Sequence, residues 1–575
     1  MKTKRLATGI AFSMALVMMI STMAFASPAR SERPIPFPDL DEEIRNIIML
    51  VPDGLDNNAT SLARWLKAYD PETGLVDNSV TLNMDDLVSG IVRSYWTDGD
   101  IVGGIADSAP AATSLATGHL TMNRFLGVTA DSIPVASILD AARLMGKSTG
   151  LVATSNVQHA TPGGFSSHHN ERGHYDIIVD QQVHKNIDVV LSAGYRFMIP
   201  PEQTLFGHIS VTGDRQDDRN LIETLEERGV DVIFTRDEML QASGGPLWGF
   251  FHPHALAYEI DRVYNRPDEP SLAEMTDVAI DILSQNDEGF FLMVEGSKID
   301  WAGHDNCVVG MVNDTLAFDE AVGVALEFAR NCGQTMVVIS PDHATGGITM
   351  GDWVTSPAAR YPLDPLSTFL APIARAQLSS EGIAERLNAD FSNLEELIET
   401  YWGIYDATEE ELEAIMETVD DSPRATTGHP TQTVRRLAQI MNTRAYIGWT
   451  TNGHTGNDGI LYTWLPGDQR IVGFFSATCV ARMMEMAWNA DLAEISDYLF
   501  NDAIAAFTAM DATVELNDAV RSAAVMTVTS GDNLLIVPQN RNYVFLNDVK
   551  HYFDGVMVLS EGVFYVPQSV IDLLK

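Results

Sequence analysis

Short, wholly apolar runs alternate with amphipathic segments from about residue 45 to about residue 350. Ile47–Val51 is apolar throughout and ends in Pro52-Asp53-Gly54. Val135–Met145 has apolar residues at helical spacing, is closed by Gly146 and leads into the strand-like Gly150–Thr154. Leu221–Arg228, closed by Gly229, leads likewise into Val230–Phe234. Ser271-Leu272-Ala273-Glu274 is a capping box that opens a helix to about Leu283. The apolar run Phe290–Val294 follows, then a helix over about Thr315–Asn331 and the run Thr335–Ile339. Strands without polar alternation have no face to give to water. The pattern therefore predicts an α/β fold, with a mostly parallel central sheet and helices on both faces.

The pattern changes from about Trp353 to Arg444, where acidic helical segments such as Ala407–Val419 alternate with Pro-containing breaks. This stretch reads as an inserted, largely helical segment, with core pattern returning at Tyr446–Thr451. Near the end, Val525–Thr529, Leu534–Val537 and Tyr543–Leu546 read as strands and Val566–Leu574 as a closing helix. The expected organisation is a catalytic domain over 45–515 with an insertion over about 353–444. A β-rich segment over 520–575 follows, either the edge of the main sheet or a small module.

The first residues change the picture of where the chain works. Lys2, Lys4 and Arg5 precede an apolar run from about Ile10 to Met23, and Ala24-Phe25-Ala26 has the small-x-small pattern of a signal peptidase site. Residues 1–26 are thus expected to be a signal peptide, with export to a periplasmic, cell-wall or extracellular location. No other segment is long and apolar enough to predict a membrane span in the mature form. The three cysteines, Cys307, Cys332 and Cys479, allow at most one disulfide, so this is not a disulfide-built scaffold. The formal net charge of −43 argues against nucleic acid as a partner, because phosphate backbones want basic surface. A phosphate-bearing substrate would instead need a local site of cations that overcomes the global field.

Candidate chemistry collects where strands end, which is where open α/β sheets bind ligands. Asp53 ends the first run, Glu295 ends Phe290–Val294, and Asp342-His343 follows Thr335–Ile339. His454, in Asn452-Gly453-His454-Thr455-Gly456, follows Tyr446–Thr451. Asp300 and His304 are four apart, so one helical turn puts both on one face, a spacing that suits a metal. Asp107-Ser108-Ala109-Pro110-Ala111-Ala112-Thr113-Ser114-Leu115-Ala116-Thr117-Gly118 is rich in small residues that let a helix pack closely. Ser108 stands where a helix N-cap is expected, so the helix field would favour its alkoxide and free N–H groups would face a phosphate.

The segment Asp107–Gly118 resembles the nucleophile motif of the alkaline phosphatases. So do Asp53-Gly54, Glu295-Gly296, Asp300 with His304, Asp342-His343 and His454-Thr455-Gly456, in the family's order. The resemblance implies an exported phosphate monoester hydrolase acting through a phosphoserine at Ser108. It implies Asp300, His304 and His454 as ligands of one zinc, and Asp53, Asp342, His343 and Ser108 as those of a second. It implies a third ion, magnesium with cobalt as the alternative, held by Asp53, Glu295 and Thr161. Arg172 would grip two phosphate oxygens and Asp107 would orient it. The nitrogen-containing sets suit zinc, and the oxygen set suits a hard cation. His159 and Trp301 stand where the best-studied bacterial members have Asp and Lys, which puts both beside the substrate and leaves the third ion open. The expected substrates are small phosphate monoesters, and the resemblance leaves a homodimer open as the assembly. Two other readings compete: a phosphodiesterase or sulfatase of the same superfamily, and a non-catalytic phosphate- or metal-binding surface protein.

Overall fold

Six buried residues, Asn46–Val51, form β1 at the centre of a ten-stranded sheet. The computed structural model describes residues 34–100, 102–201, 212–215, 217–355, 364–418 and 431–575. The expected signal peptide lies outside the described residues. The other strands of the sheet are β2 (Val88–Arg93), β3 (Ser148–Asn156), β4 (Val189–Ala193), β5 (Asp231–Ile233) and β6 (Leu247–Phe250). They are followed by β7 (Phe290–Glu295), β8 (Thr335–Ile339), β9 (Gly459–Trp464) and β10 (Gly473–Ser476). The spatial order is β10-β2-β9-β8-β1-β7-β3-β4-β6-β5. β1 pairs in parallel with both β7 and β8, in register Ile48 with Leu292 and Val337. β9 is antiparallel to both of its neighbours, β8 and β2, while every other pairing in the sheet is parallel.

The helices that bear on the site are α1 (Ser108–Thr117), α2 (Ala160–Ser166), α3 (Tyr175–His184), α4 (Leu272–Leu283), α5 (Lys298–Asp305) and α6 (Val308–Cys332). The capping box of α4 forms as expected, with Ser271 and Glu274 satisfying each other's backbone N–H groups. The helix read over Val135–Met145 is shorter, Ile138–Leu144, because Ser137 and Asp140 make a second capping box inside it. The helix read from Thr315 begins at Val308, capped by the Cys307 sulfur, which accepts from Gly310 N. All three cysteines are free thiols. No described helix is long and apolar enough to cross a membrane.

Two expectations near the C-terminal half are corrected. Tyr446–Thr451 is not a core strand: only Ile447–Gly448 pairs, with Thr349–Met350, and the sheet resumes at β9. Tyr446 has φ 52°, which breaks an extended run. Tyr446–Thr451 reads as a strand, but its pairing is confined to a two-residue ribbon with Thr349–Met350. Val566–Leu574 is not one helix: Val566 ends the strand Val563–Val566, Pro567 interrupts, and Gln568–Ile571 and Asp572–Leu574 make short turns of helix.

Between the two ribbon strands, the described residues form helices Leu366–Arg375, Ser380–Ala384, Leu394–Trp402, Glu409–Met416 and Thr431–Ala445. Beyond residue 500, five antiparallel strands from Thr513–Asn517 to Val549–Tyr552 and a three-stranded sheet share a hydrophobic cluster of their own, including Phe507, Met526, Val537 and Phe564.

Asp261 ties the helical stretch to the core. Its buried carboxylate accepts from Ser379 N at 2.6 Å and from the Ser379 hydroxyl, the N-cap of Ser380–Ala384. Burial pushes its pKa from an ordinary 3.8 up to about 7, despite those hydrogen bonds. An acid whose folded pKa is raised contributes stability that is complete below its unfolded pKa and is lost as pH rises to the folded one. Asp261→Asn, which imitates the neutral acid, should therefore gain on the wild type between about pH 4 and about pH 7 and level off above. The gain is at most about 1.4 kcal/mol per pH unit. Urea midpoints measured across that range check it; a pH-independent difference would contradict the assignment.

Candidate active site

The small residues of α1 have a steric purpose. A Cβ on Gly164 of α2 would meet Ala112 Cβ at 2.7 Å, so the two helices touch backbone to backbone. This contact seats the N-terminus of α1 beside the ends of β1, β7 and β8. The cap of α1 is Asp107, whose Oδ1 accepts from Ala109 N at 2.7 Å, and Ser108 is the first helical residue. That corrects the expectation that Ser108 caps the helix. The shift matters, because a capping hydroxyl is spent on a backbone N–H. Ser108 Oγ instead lies 3.2 Å from His343 Nε2.

Asp53, Glu295 and Asp342 sit at the ends of β1, β7 and β8 as expected, all with no exposed surface. Gly54 has φ 71°, and a Cβ there would meet Asp300 Cα at 2.7 Å, so Gly is required where the β1 turn passes α5. Asp300 and His304 face the same way on α5, with His304 Nε2 3.3 Å from Asp300 Oδ2. His454 arrives by a different route from the one expected. It belongs to the ribbon His454–Thr455, which pairs with Ala344–Thr345 directly after His343. That pairing stacks the His343 and His454 rings at 3.6 Å.

Among the described residues, three groups of side chains bring ligand atoms within 4.8 Å of one another: Asp300, His304 and His454; Asp53, Asp342 and His343; and Asp53, His159 and Glu295. Both carboxylate oxygens of Asp53, Glu295 Oε1 and Thr161 Oγ1 are buried without a hydrogen-bond partner. Burial, with Asp342, Asp300 and Glu295 close by, pushes Asp53 well above the usual carboxylate range. Burial likewise pushes Glu295 up to about 7. Although buried, Asp300 is held well below its ordinary value by His304, which its carboxylate in turn raises to about 9 against the effect of burial. Buried acids with orphaned oxygens are a donor set short of cations, and divalent metal ions fit it.

The imidazole tautomers sharpen the fit. His304 Nδ1 lies 2.6 Å from Asn452 O and His454 Nδ1 lies 2.9 Å from Ala106 O. Carbonyls only accept, so both rings carry a proton on Nδ1, which leaves Nε2 as the inward-facing nitrogen that a cation would take in place of a proton. Thr345 gives its one hydroxyl proton to Asp300, so it accepts from His343 Nδ1 at 3.3 Å, and His343 also presents Nε2. Such outer contacts are what orient metal-binding histidines. His159 is the opposite case. Arg172 has only donors, so His159 Nε2, 3.1 Å from Arg172 Nη2, must accept. Its lone pair is spent there, and its Nδ1–H is buried without a partner. Burial and then Arg172 hold this ring neutral, with a pKa lowered to about 3.

Arg172 also donates to Asp107 Oδ1 at 3.3 Å, as expected, while Asp107 Oδ2 accepts from Arg124 N at 2.8 Å. A cavity of about 440 Å³ opens over these groups and is lined by Ser108, His159, Arg172, Asp300, Trp301, His304 and His454. The Trp301 ring meets His159 edge-on at 5.9 Å and covers the buried Lys298 ammonium at 4.4 Å. His254, Asp305 and Glu381 complete the lining and were not anticipated. Thr345 was missed as well, though it lies two residues beyond His343, the strand spacing that returns to the same face. Asn452 and Glu381 carry no such signal.

Residues 44–490 match the model of the family described as alkaline phosphatase. The chain is 32% identical over 487 residues to alkaline phosphatase 3 of Bacillus subtilis (strain 168), covering 81% of this chain and 95% of that one. It is 31% identical over 496 residues to the repressible alkaline phosphatase of Saccharomyces cerevisiae, covering 79% and 83%. Among solved structures, the alkaline phosphatase of Thermus thermophilus superposes with a TM-score of 0.66 at 25% identity, covering 80% of this chain and 96% of that one.

Proposed function

The chain belongs to the alkaline phosphatase family and is a phosphate monoester hydrolase, and on that premise we propose that it acts through a phosphoserine at Ser108, between two zinc ions and beside a magnesium ion. The observation that carries this reading is the pair of stacked imidazoles, His343 and His454, which belong to two different ligand groups, with Ser108 Oγ 3.2 Å from His343 Nε2. Asp300, His304 and His454 would hold one zinc, and Asp53, Asp342, His343 and Ser108 the other. For the third ion, the orphaned oxygens of Asp53, Glu295 and Thr161 favour a hard cation that keeps some of its water. His159, with its lone pair on Arg172, would face that water as a donor instead of binding the metal.

When bound, the ions supply Lewis acidity that lowers the pKa of Ser108 and of water and neutralises charge on the reacting oxygens. Ser108 gives its hydroxyl proton to solvent, its Oγ attacks phosphorus while the bond to the ester oxygen breaks, and the departing alcohol oxygen takes a proton from solvent. Arg172, held by Asp107 and His159, offers its planar fork to two phosphoryl oxygens and keeps them in line. Water then attacks the phosphoserine and loses a proton to solvent, the bond from phosphorus to Ser108 Oγ breaks, Oγ regains its proton, and inorganic phosphate leaves. The signal-peptide pattern of residues 1–26 supports export, and a cavity whose charged groups gather around one phosphoryl group supports small phosphate monoesters as substrates.

Turnover of p-nitrophenyl phosphate, its bis-ester and its sulfate tests the monoester reading. The monoester should be faster than both by at least about a hundredfold, because only a dianionic phosphoryl group engages both Arg172 and the cations. Comparable rates on the bis-ester or the sulfate would favour the other members of the superfamily instead.

A further inference from the structure

The strands beyond residue 500 lie outside the family match, yet they touch the segment that carries Arg172. Arg172 sits in the loop between α2 and α3. On one side this loop is fixed to the chain near α1: Leu126 and His169 exchange backbone hydrogen bonds at 2.7 and 2.8 Å, and Arg172 N donates to Arg124 O at 2.9 Å. On the other side it meets the C-terminal strands and their approach. The Asn170 amide donates to Glu561 Oε1. Phe500 lies against the His168 ring at 4.6 Å. Arg521 donates to both oxygens of Asp176 at 3.3 and 3.4 Å.

One turn further along α3 the contacts are buried. Asp180 has no exposed surface, and its Oδ1 lies 2.6 Å from Arg541 Nη1. The Gln181 amide donates to Asn540 Oδ1 at 3.1 Å and to His168 O at 3.1 Å, while its own oxygen accepts from His168 N at 2.8 Å. Gln181 thus links Asn540 of the C-terminal segment to the loop four residues before Arg172.

We propose that the C-terminal strands position Arg172 for phosphate, through Asn540 acting by way of Gln181 and through Glu561 acting on Asn170. The inference rests on the reading of Arg172 as the phosphate-gripping residue. An arginine side chain has many rotamers, and a bidentate grip is strong only where the backbone that carries it is fixed. Asp107 and His159 restrain the guanidinium, and the contacts to α3 and Asn170 restrain the backbone. These residues touch neither substrate nor metal, so they are positioning residues.

The test is the inhibition constant of inorganic phosphate for the metal-loaded, full-length enzyme, in a double-mutant cycle with Arg172→Ala. Glu561 is exposed, so Glu561→Ala leaves the core intact, and Glu561→Gln keeps the acceptor for Asn170. Asn540 has φ 61°, so Asn540→Gly removes the side chain while keeping the backbone accessible. Glu561→Ala and Asn540→Gly should each weaken phosphate by about three- to tenfold, with Glu561→Gln near wild type and metal content unchanged. In the Arg172→Ala background both should be silent. If Arg172→Ala weakens phosphate but the C-terminal variants do not, or do so equally in both backgrounds, the positioning role is overturned. If Arg172→Ala leaves phosphate inhibition unchanged, the reading of Arg172 falls first and takes the inference with it.

Discussion

Ser108→Ala should lower turnover of a generic monoester by at least about a thousandfold while metal content and fold stay as in the wild type. The expectation follows from where the hydroxyl is. Asp107 takes the capping duty, so Ser108 Oγ is not engaged by the first N–H groups of α1 and stands 3.2 Å from His343 Nε2. The helix N-terminus adds a favourable field for negative charge on that oxygen. Removing one hydroxyl from a nearly buried position in a wall of alanines costs little packing, so loss of activity could not be put down to unfolding. Metal analysis and a melting curve on the same sample separate the two. Activity within about tenfold of wild type would mean that water attacks the ester directly, and that Ser108 is only a neighbour of the cations.

Asp53→Ala should have a second large effect, and one with an opposite sign in stability. Asp53 serves two of the three ligand groups. Its loss should empty both, leaving only the ion held by Asp300, His304 and His454, with turnover down by about a thousandfold or more. With metals present, the variant should unfold at lower temperature than the wild type, because it forfeits the binding energy of the missing ions. After chelation the order should reverse. The metal-free wild type keeps a buried carboxylate, crowded by Asp342, Asp300 and Glu295, whose burial pushes its pKa far up. Deleting that group removes an unfavourable burial. Melting curves with and without chelator check this. A variant less stable in both states would show that Asp53 is held by structure and not by cations.

The parts legible from sequence were those whose cause is local. β1, β7 and β8 are short, nearly continuous apolar runs bounded by turn residues, the pattern of strands buried on both faces. Asp300 and His304 declare themselves by one helical turn, and Asp53, Glu295 and Asp342 by standing where such runs end. The route of His454 was not legible. Tyr446–Thr451 has the composition of a strand, but whether it joins the sheet depends on a partner about a hundred residues away, Thr349–Met350. The same holds for the lining residue Glu381, brought to the cavity by the helical stretch, and for Asn540, brought to α3 by the C-terminal strands. Tautomers are a further level that no spacing encodes. His159 and His343 are both histidines at strand ends, yet one gives its Nε2 lone pair to Arg172 and the other points Nε2 at the carboxylates of Asp53 and Asp342. What separates them is a single neighbour, Arg172 in one case and Thr345 in the other.

The central claim is that phosphorus passes through Ser108. The direct measurement is acid quenching of the metal-loaded enzyme during turnover of a monoester labelled in its phosphoryl group, followed by peptide mapping. The account predicts label bound covalently to the peptide that contains Ser108, approaching one equivalent per chain under conditions where hydrolysis of the intermediate is slow, and none in Ser108→Ala. Full turnover with no label on that peptide, or label on another residue, would contradict it.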